Sequence, residues 1–251
     1  MNLIIVEPDE VIDGEVRLGD FRATHIREVL KAGVGSILKV GVADGLRGNG
    51  TVLAISERQV ELKLELTEES PCGWCDLILA MPRPRVLKRL LPQLAAMGVA
   101  NIWVTGAARV EKCYFGAHWL HPEGYRPLLI EGLMQAGTTT MPRLHLQPQW
   151  NHFTTEILPE LSLGSSCYLA HPTQTATPLT ANSNSNQKVV LAVGPEGGWL
   201  KDELAVFTHN NYSHLSLGPR ILRSDTACIA LLAVLAQRYD HTACSALTSR
   251  V

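Results

Sequence analysis

Long apolar runs are missing from this sequence. The longest, Ala227 to Ala236, falls well short of the roughly 20 residues a membrane helix needs. The start, Met1 to Pro8, has neither a basic flank nor a small-residue cleavage site, so it does not read as a signal peptide. A soluble cytoplasmic protein with no membrane partner is the expectation. Charge is also scarce. Charged residues make up 18% of the chain and the formal net charge is -2, which excludes a protein that coats nucleic acid by bulk charge. Any RNA contact has to come from local basic patches. The six cysteines stand at irregular positions, unlike the dense framework of a small secreted domain, and reduced thiols are expected. Cys72-Gly73-Trp74-Cys75 has the spacing of a redox site or half a zinc site, but no second pair stands at a matching distance. His118 and His121 beside Cys113 lack a fourth ligand in register. No metal is expected. Also absent are G-x-G-x-x-G and Gly-Lys-Ser/Thr, which excludes a Rossmann fingerprint and a P-loop.

What is present is an apolar content of 46% over 251 residues, enough for a small domain plus a medium one. The first part has a short helical signal at His25 to Leu30, ended by Gly33 and Gly35. Strand-like runs follow at Ser36 to Val42, Gly50 to Ile55 and Gln59 to Leu66. A small β-rich domain over residues 1–70 is expected, and the polar segment Thr67 to Gly73 is its boundary. From Cys75 the rhythm becomes an alternation of buried strands and helices. Strands are expected at Asp76 to Met81, Asn101 to Thr105, Ser166 to Ala170, Lys188 to Val193 and Leu215 to Leu217. Helices are expected at Val86 to Met97, Leu128 to Gln135, Asp202 to Thr208 and Ser224 to Arg238. That order implies a second, α/β domain over residues 74–240 with a parallel sheet. The Ser- and Asn-rich stretch Thr180 to Gln187 reads as a mobile loop.

Three loops follow buried strands, at the ends where open parallel sheets bind ligands. They are Leu169-Ala170-His171-Pro172, Gly194-Pro195-Glu196-Gly197-Gly198-Trp199, and Leu217-Gly218-Pro219-Arg220-Ile221-Leu222-Arg223-Ser224-Asp225-Thr226. Glycines around a fixed proline let the second loop approach a ligand closely. A tight strand-to-helix turn, with Glu196 satisfying helix amides, fits the same string. The third loop reads equally as a helix N-cap with an arginine pairing Asp225.

The combination decides between these readings. Gly-Pro-Glu-Gly-Gly, followed by Leu-Gly-Pro-Arg-Ile-Leu-Arg-Ser-Asp-Thr-Ala at residues 217–227, resembles the signature of the RsmE family of ribosomal RNA uridine-N3 methyltransferases. The likeness extends through His171-Pro172, Met97-Gly98-Val99, Arg83, Arg109, Gln135 and the His25 to Leu30 segment. The resemblance implies an α/β protein with a SPOUT-type trefoil-knotted methyltransferase domain and a small N-terminal PUA-like β-barrel domain. It implies S-adenosylmethionine as cofactor, held by Leu169, Gly194, Gly197, Gly198, Leu217, Gly218, Ile221, Leu222 and Thr226. It also implies homodimerisation through the knot and last helix, and ribosomal RNA or the small ribosomal subunit as partner.

Uracil N3 carries a proton near neutrality, so transfer needs a base or donors for the flanking carbonyls. Arg223 offers two parallel donors but stays protonated, which makes its expected role electrostatic. Glu196 and Asp225 are the carboxylates able to take the proton or orient Arg223. Arg83, Arg85, Arg109, Arg220 and His25 are the expected RNA contacts.

Several positions depart from the family pattern. The first strand has no basic residue before Arg17, a family lysine falls on Val86, and Ser-Glu-Arg becomes Ala107-Ala108-Arg109. Glu-Gln and Gly-Arg become Met134-Gln135 and Gly137-Thr138. Almost all of these fall where the resemblance implies an RNA-facing side, so a paralogue acting on a different RNA is the main alternative. A non-catalytic RNA-binding protein and a redox protein using Cys72 and Cys75 are the others.

Overall fold

The computed structural model describes residues 2–172 and 187–238. The loop expected at Thr180 to Gln187 lies, but for Gln187, outside them. By packing, the residues up to Pro71 group with Ile130–Met141, and Cys72–Leu129 groups with the described residues from Pro142 onward.

The first unit is built on a six-stranded sheet of β1 (Ile4–Val6), β2 (Val11–Ile12), β3 (Glu15–Leu18), β4 (Ile37–Val42), β5 (Arg47–Ile55) and β6 (Val60–Glu68), in the order β1-β4-β5-β6-β3-β2. All neighbours are antiparallel except β1 and β4. The alternation in Glu15–Leu18 buries Val16 and Leu18 and exposes the residues between, as a sheet with one covered face requires. Ile4, Val6, Val16, Leu18, Ile26, Val40, Val52 and Leu62 form its core. Helix α1 (Phe21–Thr24) runs into a π-helical turn at His25–Val29, where the sequence gives a plain helical signal. Segment Ile130–Met141 joins this unit through hydrogen bonds to its backbone groups. The amides of Asn2 and Leu3 donate to the Met134 carbonyl at 2.9 and 3.1 Å, and Arg47 Nη1 donates to the Gly137 carbonyl at 2.7 Å.

The second unit holds a wholly parallel sheet of β7 (Cys75–Ala80), β8 (Val99–Thr105), β9 (Arg143–Gln147), β10 (Ser166–Ala170), β11 (Val189–Val193) and β12 (Ser213–Leu215), ordered β12-β10-β11-β7-β8-β9. Every residue of β7 and β11 is buried. Such unbroken apolar strands are what a parallel sheet covered on both faces demands. The α-helices of this unit are α2 (Pro84–Ala96), α3 (Pro122–Ala136), α4 (Trp150–His152), α5 (Leu158–Ser162), α6 (Lys201–His209) and α7 (Ser224–Ala236); α3 passes into the first unit at Ile130. No helix of the described residues is long and apolar enough to cross a membrane.

Strands β1, β2, β3 and β9 escape the periodicity, as does the helical run from Trp150 to Ser162. Strand β12 ends at Leu215, earlier than the expected Leu215 to Leu217, because Ser216 Oγ meets the Gly218 amide at 3.3 Å and Gly218 takes φ +105°. That turn lets only glycine continue comfortably. At the opposite ends of the strands lies a polar chain. Asp76 is fully buried. Its Oδ1 accepts from Asn101 Nδ2 at 2.8 Å, and Asn101 Oδ1 meets His145 Nε2 at 3.0 Å. Lys188 Nζ stands 2.6 Å from Asp76 Oδ2, an ion pair by distance without the alignment of a hydrogen bond.

Removing one member of such a pair strands the buried charge, which costs about 3–5 kcal/mol. Lys188→Met is therefore expected to destabilise the second unit by about 3 kcal/mol near neutral pH. Urea unfolding of the variant against the wild type checks this; a loss below about 1 kcal/mol would show that Asp76 does not depend on Lys188.

Candidate active site

Register brings three strand ends to one level. Ala170 of β10 lies opposite Val193 of β11 and opposite Leu215 of β12. The loops leaving them meet at a cavity of about 390 Å³. Ala170, His171 and Pro172 line it from the first loop, Gly194 to Trp199 from the second, and Ser216, Leu217, Arg220, Ile221 and Leu222 from the third. Ser224, Ala227 and Leu231 of α7 close it, with Arg109 at its rim.

The second loop is held by an aromatic anchor. Trp199 is 5% exposed, and a Cβ added at Gly194 would stand 2.9 Å from its Nε1. Only glycine lets the ring come this close to the chain. Trp199 packs edge-on against Phe207 at 5.0 Å and lies 5.6 Å from Trp150, while Phe207 meets Tyr212 at 5.0 Å. Pairs of this geometry add stability beyond their buried area. The Gly198 amide donates to the Pro195 carbonyl at 2.8 Å, and Gly198 has φ +73°, so the loop is a tight turn as well as a cavity wall. The strand-to-helix turn expected of this string is present, but the amide at the start of α6 is met by Glu203 and not by Glu196.

Glu203, 5% exposed, fixes the neighbouring backbone. Its Oε2 accepts from the Leu200 amide at 2.7 Å, and its Oε1 accepts from the Ala108 amide at 2.8 Å. One buried carboxylate thus caps α6 and ties the segment carrying Arg109 to it. Arg109 Nη1 donates to the Gly197 carbonyl. Glu196 Oε1 accepts from the Arg83 amide at 3.3 Å, at the start of α2.

At the start of α7 the carboxylate of Asp225 is shared. Its Oδ2 takes Arg89 Nη2, while Oδ1 accepts from the Thr226 amide at 2.9 Å and stands 3.6 Å from Arg223 Nε. Burial works to raise this carboxyl, but the Arg89 hydrogen bond, the Thr226 amide and the two guanidinium charges hold it below the ordinary range. The Arg223 side chain is 72% exposed.

The predicted residues sort clearly by position. Gly194, Gly197, Gly198, Leu217, Ile221 and Leu222 line the cavity, as do Glu196, Arg109 and Arg220. Leu169 does not: it is fully buried in the core beneath. Gly218 shapes the third loop without lining the cavity, and Thr226 lies exposed in the first turn of α7. Arg223 and Asp225 flank the lining residue Ser224. Arg85 is exposed on α2, and His25 belongs to the first unit, its Nε2 buried without a hydrogen-bond partner among the described residues. Sequence reasoning assigned no part in this site to Trp199, Ala227, Leu231, Glu203 or Arg89. Only Trp199, directly after the glycine pair, carried a usable signal.

Cys72 is disulfide-bonded, which departs from the reduced thiols expected of the sequence. Cys75 is a free, fully buried thiol, and burial pushes it well above the ordinary range, so it supplies no thiolate for redox chemistry. Among the described residues no group of three or more His, Cys, Asp or Glu side chains is placed to hold a metal.

Residues 68–236 match the RNA methyltransferase domain family. This chain belongs to that family. Its relatives include Ribosomal RNA small subunit methyltransferase E of Treponema pallidum, 29% identical over 240 residues, 94% of this chain and 90% of the relative. Ribosomal RNA small subunit methyltransferase E 1 of Borreliella burgdorferi is 24% identical over 95% of this chain and 98% of its own. Among solved structures, Ribosomal RNA small subunit methyltransferase E from Neisseria gonorrhoeae, bound to S-adenosyl methionine, is similar with a TM-score of 0.73 at 20% identity, covering 95% of this chain and 98% of that one. The Legionella pneumophila methyltransferase Lpg2936, solved with SAM, gives 0.70 at 23% identity over 94% of this chain and 97% of that one. The two structures establish a shared fold across both units.

His171, on the cavity wall, is held below the ordinary histidine range by burial and by His214, whose ring lies edge-on at 5.6 Å. His145 is lowered too, chiefly by burial. The unfolded chain therefore takes up protons more readily than the folded one, and stability falls as pH drops below about 6.5. The melting temperature is expected to be lower at about pH 5.8 than at about pH 7.5, and His171→Gln with His145→Gln to narrow that difference. An unchanged difference in calorimetry would rule both histidines out as its source.

Proposed function

We propose that this protein uses S-adenosylmethionine to methylate N3 of a uridine in small-subunit ribosomal RNA, in the cytoplasm. The observation that carries the reading is the cavity itself. It is walled by the glycine-rich second loop and the aliphatic third loop, the two strings on which the family resemblance rests. At about 390 Å³ it falls in the range of small-molecule sites. Gly194, Gly197 and Gly198 expose backbone groups, and Leu217, Ile221, Leu222 and Leu231 offer apolar surface. This combination fits a cofactor with an adenine ring and polar ends. Leu169, Gly218 and Thr226 support the loops from outside the lining.

In this reading residues 1–70 form a PUA-like barrel that binds RNA, and residues 74–240 a SPOUT domain with a trefoil knot. The apolar character of α7 favours a homodimer. After Asp225 it carries no charged residue up to Ala236, and Ile229, Ala230 and Val234 remain partly exposed. A helix apolar on all sides wants a partner on each. Ile221, 87% exposed beside it, extends the same surface.

S-adenosylmethionine supplies an electrophilic methyl group. The chain's residues have to hold the uracil and take the proton that N3 loses. Asp225, held low by its arginine partners, is a poor acceptor. Glu196 is the better one: it lines the cavity, and one of its oxygens has no partner among the described residues. Arg223 stabilises charge on a flanking carbonyl. Arg83, Arg85, Arg109, Arg220 and His25 meet the RNA.

The test incubates the protein and labelled cofactor with small ribosomal subunits from cells lacking this activity, then maps the label by nucleoside mass spectrometry. One new N3-methyluridine is expected. Cofactor binding without incorporation into that RNA would favour a paralogue acting on a different RNA, and no cofactor binding would favour a non-catalytic RNA-binding protein. Arg223→Ala is expected to lower turnover by about 100-fold or more with cofactor affinity nearly unchanged. Ile229→Arg is expected to turn a dimer into a monomer in light scattering and to weaken cofactor binding; a monomeric wild type would refute the dimer.

A further inference from the structure

Arg89 belongs to no motif that points to chemistry, yet it makes the closest contact of the Asp225 carboxylate. The side chains differ in exposure: 16% for Asp225, 58% for Arg89 and 72% for Arg223. The carboxylate is tucked against α2, and the neighbouring arginine of its own helix is left outside. The contact to Arg223 Nε, at 3.6 Å, is an ion pair without a hydrogen bond. Among the described residues nothing else engages the Arg223 guanidinium.

The charge pattern explains why Asp225 is drawn that way. No Asp or Glu occurs between Asp76 and Glu111, whereas Arg83, Arg85, Lys88, Arg89 and Arg109 all lie in that stretch. Arg83, Arg85, Lys88 and Arg89 are exposed on or beside α2. A carboxylate brought to this face is attracted by several cations at once, while Arg223 offers one. Two guanidinium groups on one carboxylate leave a net positive charge, so Arg223 keeps its charge and its free donors.

We propose that Arg89 is a positioning residue for the transfer reaction: by holding Asp225 against α2 it prevents Asp225 from closing onto Arg223 and so keeps Arg223 available to the substrate. The inference rests on the function proposed above for Arg223. Without Arg89, the nearest cation for Asp225 is Arg223, and a two-point pair between them would occupy the donors that the uracil carbonyl or a phosphate needs.

The consequence is a particular pattern of epistasis. Arg89→Ala is expected to lower kcat about tenfold with the KM for S-adenosylmethionine unchanged. Arg89→Lys, which keeps the charge, is expected to stay within about threefold of the wild type. Adding Asp225→Asn to Arg89→Ala is expected to restore part of the lost rate, because a neutral amide cannot neutralise Arg223. A strut that merely ties α7 to α2 predicts the reverse, with the double variant no better than the single one. An RNA-phosphate contact predicts a raised KM for RNA and a shallower salt dependence in place of a lowered kcat. Either result overturns the proposal.

A second measurement needs no substrate. Double-mutant cycles in urea unfolding are expected to give a larger Arg223–Asp225 coupling in the Arg89→Ala background than in the wild type. Equal coupling in both backgrounds overturns the proposal. Should the wild type methylate no RNA, the function assigned to Arg223 fails, and the cycle still decides whether Arg89 governs where Asp225 points.

Discussion

The contact of the Trp199 ring with the Gly194 backbone is the constraint on which the site depends. The glycine permits an approach that any Cβ would block, and the ring then carries the second loop into the cluster of Trp150, Phe207 and Tyr212. Burial on this scale stabilises by about 1.5–3 kcal/mol per large side chain. It lets a loop of glycines, each a poor source of order by itself, stand as a fixed wall. The buried strands β7 and β11 hold the start of that loop, and α6 holds its end. Little freedom is left between them, so the backbone groups facing the cavity are in place before anything binds.

Electrostatics are organised locally in a chain whose net charge is close to zero. Segregation replaces excess: α2 and its flanks carry cations without a single carboxylate of their own. The carboxylates that meet this face arrive from other loops, Glu196 from the second and Asp225 from the third, and each takes a defined partner there. A near-neutral protein of this kind can present a strong field at one face while binding RNA weakly elsewhere.

Much of this arrangement was legible in the sequence. The unbroken apolar runs of β7 and β11 and the loops after them gave the sheet, its parallel sense and the cavity wall, because burial on both faces leaves a direct mark on composition. Strand β9 left none: its residues are mostly half-buried, so Arg143, His145 and Gln147 look like a polar loop. The return of Ile130–Met141 to the first unit rests on contacts far apart in sequence, from the Asn2 and Leu3 amides and from the side chains of Arg47, Ser70 and Asp44, which no local pattern marks. Leu169 lies off the cavity wall for a different reason. A strand alternates sides, and its neighbour Ala170 faces the cavity while Leu169 points into the core. Glu203 and Arg89 are pairings across 95 and 136 residues, and no local pattern encodes such distances.

The departures from the family pattern are uneven for a physical reason. The second loop presents its backbone to the cavity, so exchanging Gly194 or Gly198 would change a path that nothing else can supply. A charge at an exposed position is cheap to move, usually within about 0.5 kcal/mol of stability. Val86 replaces a cation, yet Arg85 and Lys88 stand within one turn of it. Ala107-Ala108 replaces two polar residues before Arg109, and the segment is held instead by the Ala108 amide on Glu203. A main-chain contact of this kind is indifferent to the side chain it passes. It keeps Arg109 against the Gly197 carbonyl, and that leaves the residues in front of Arg109 free to change.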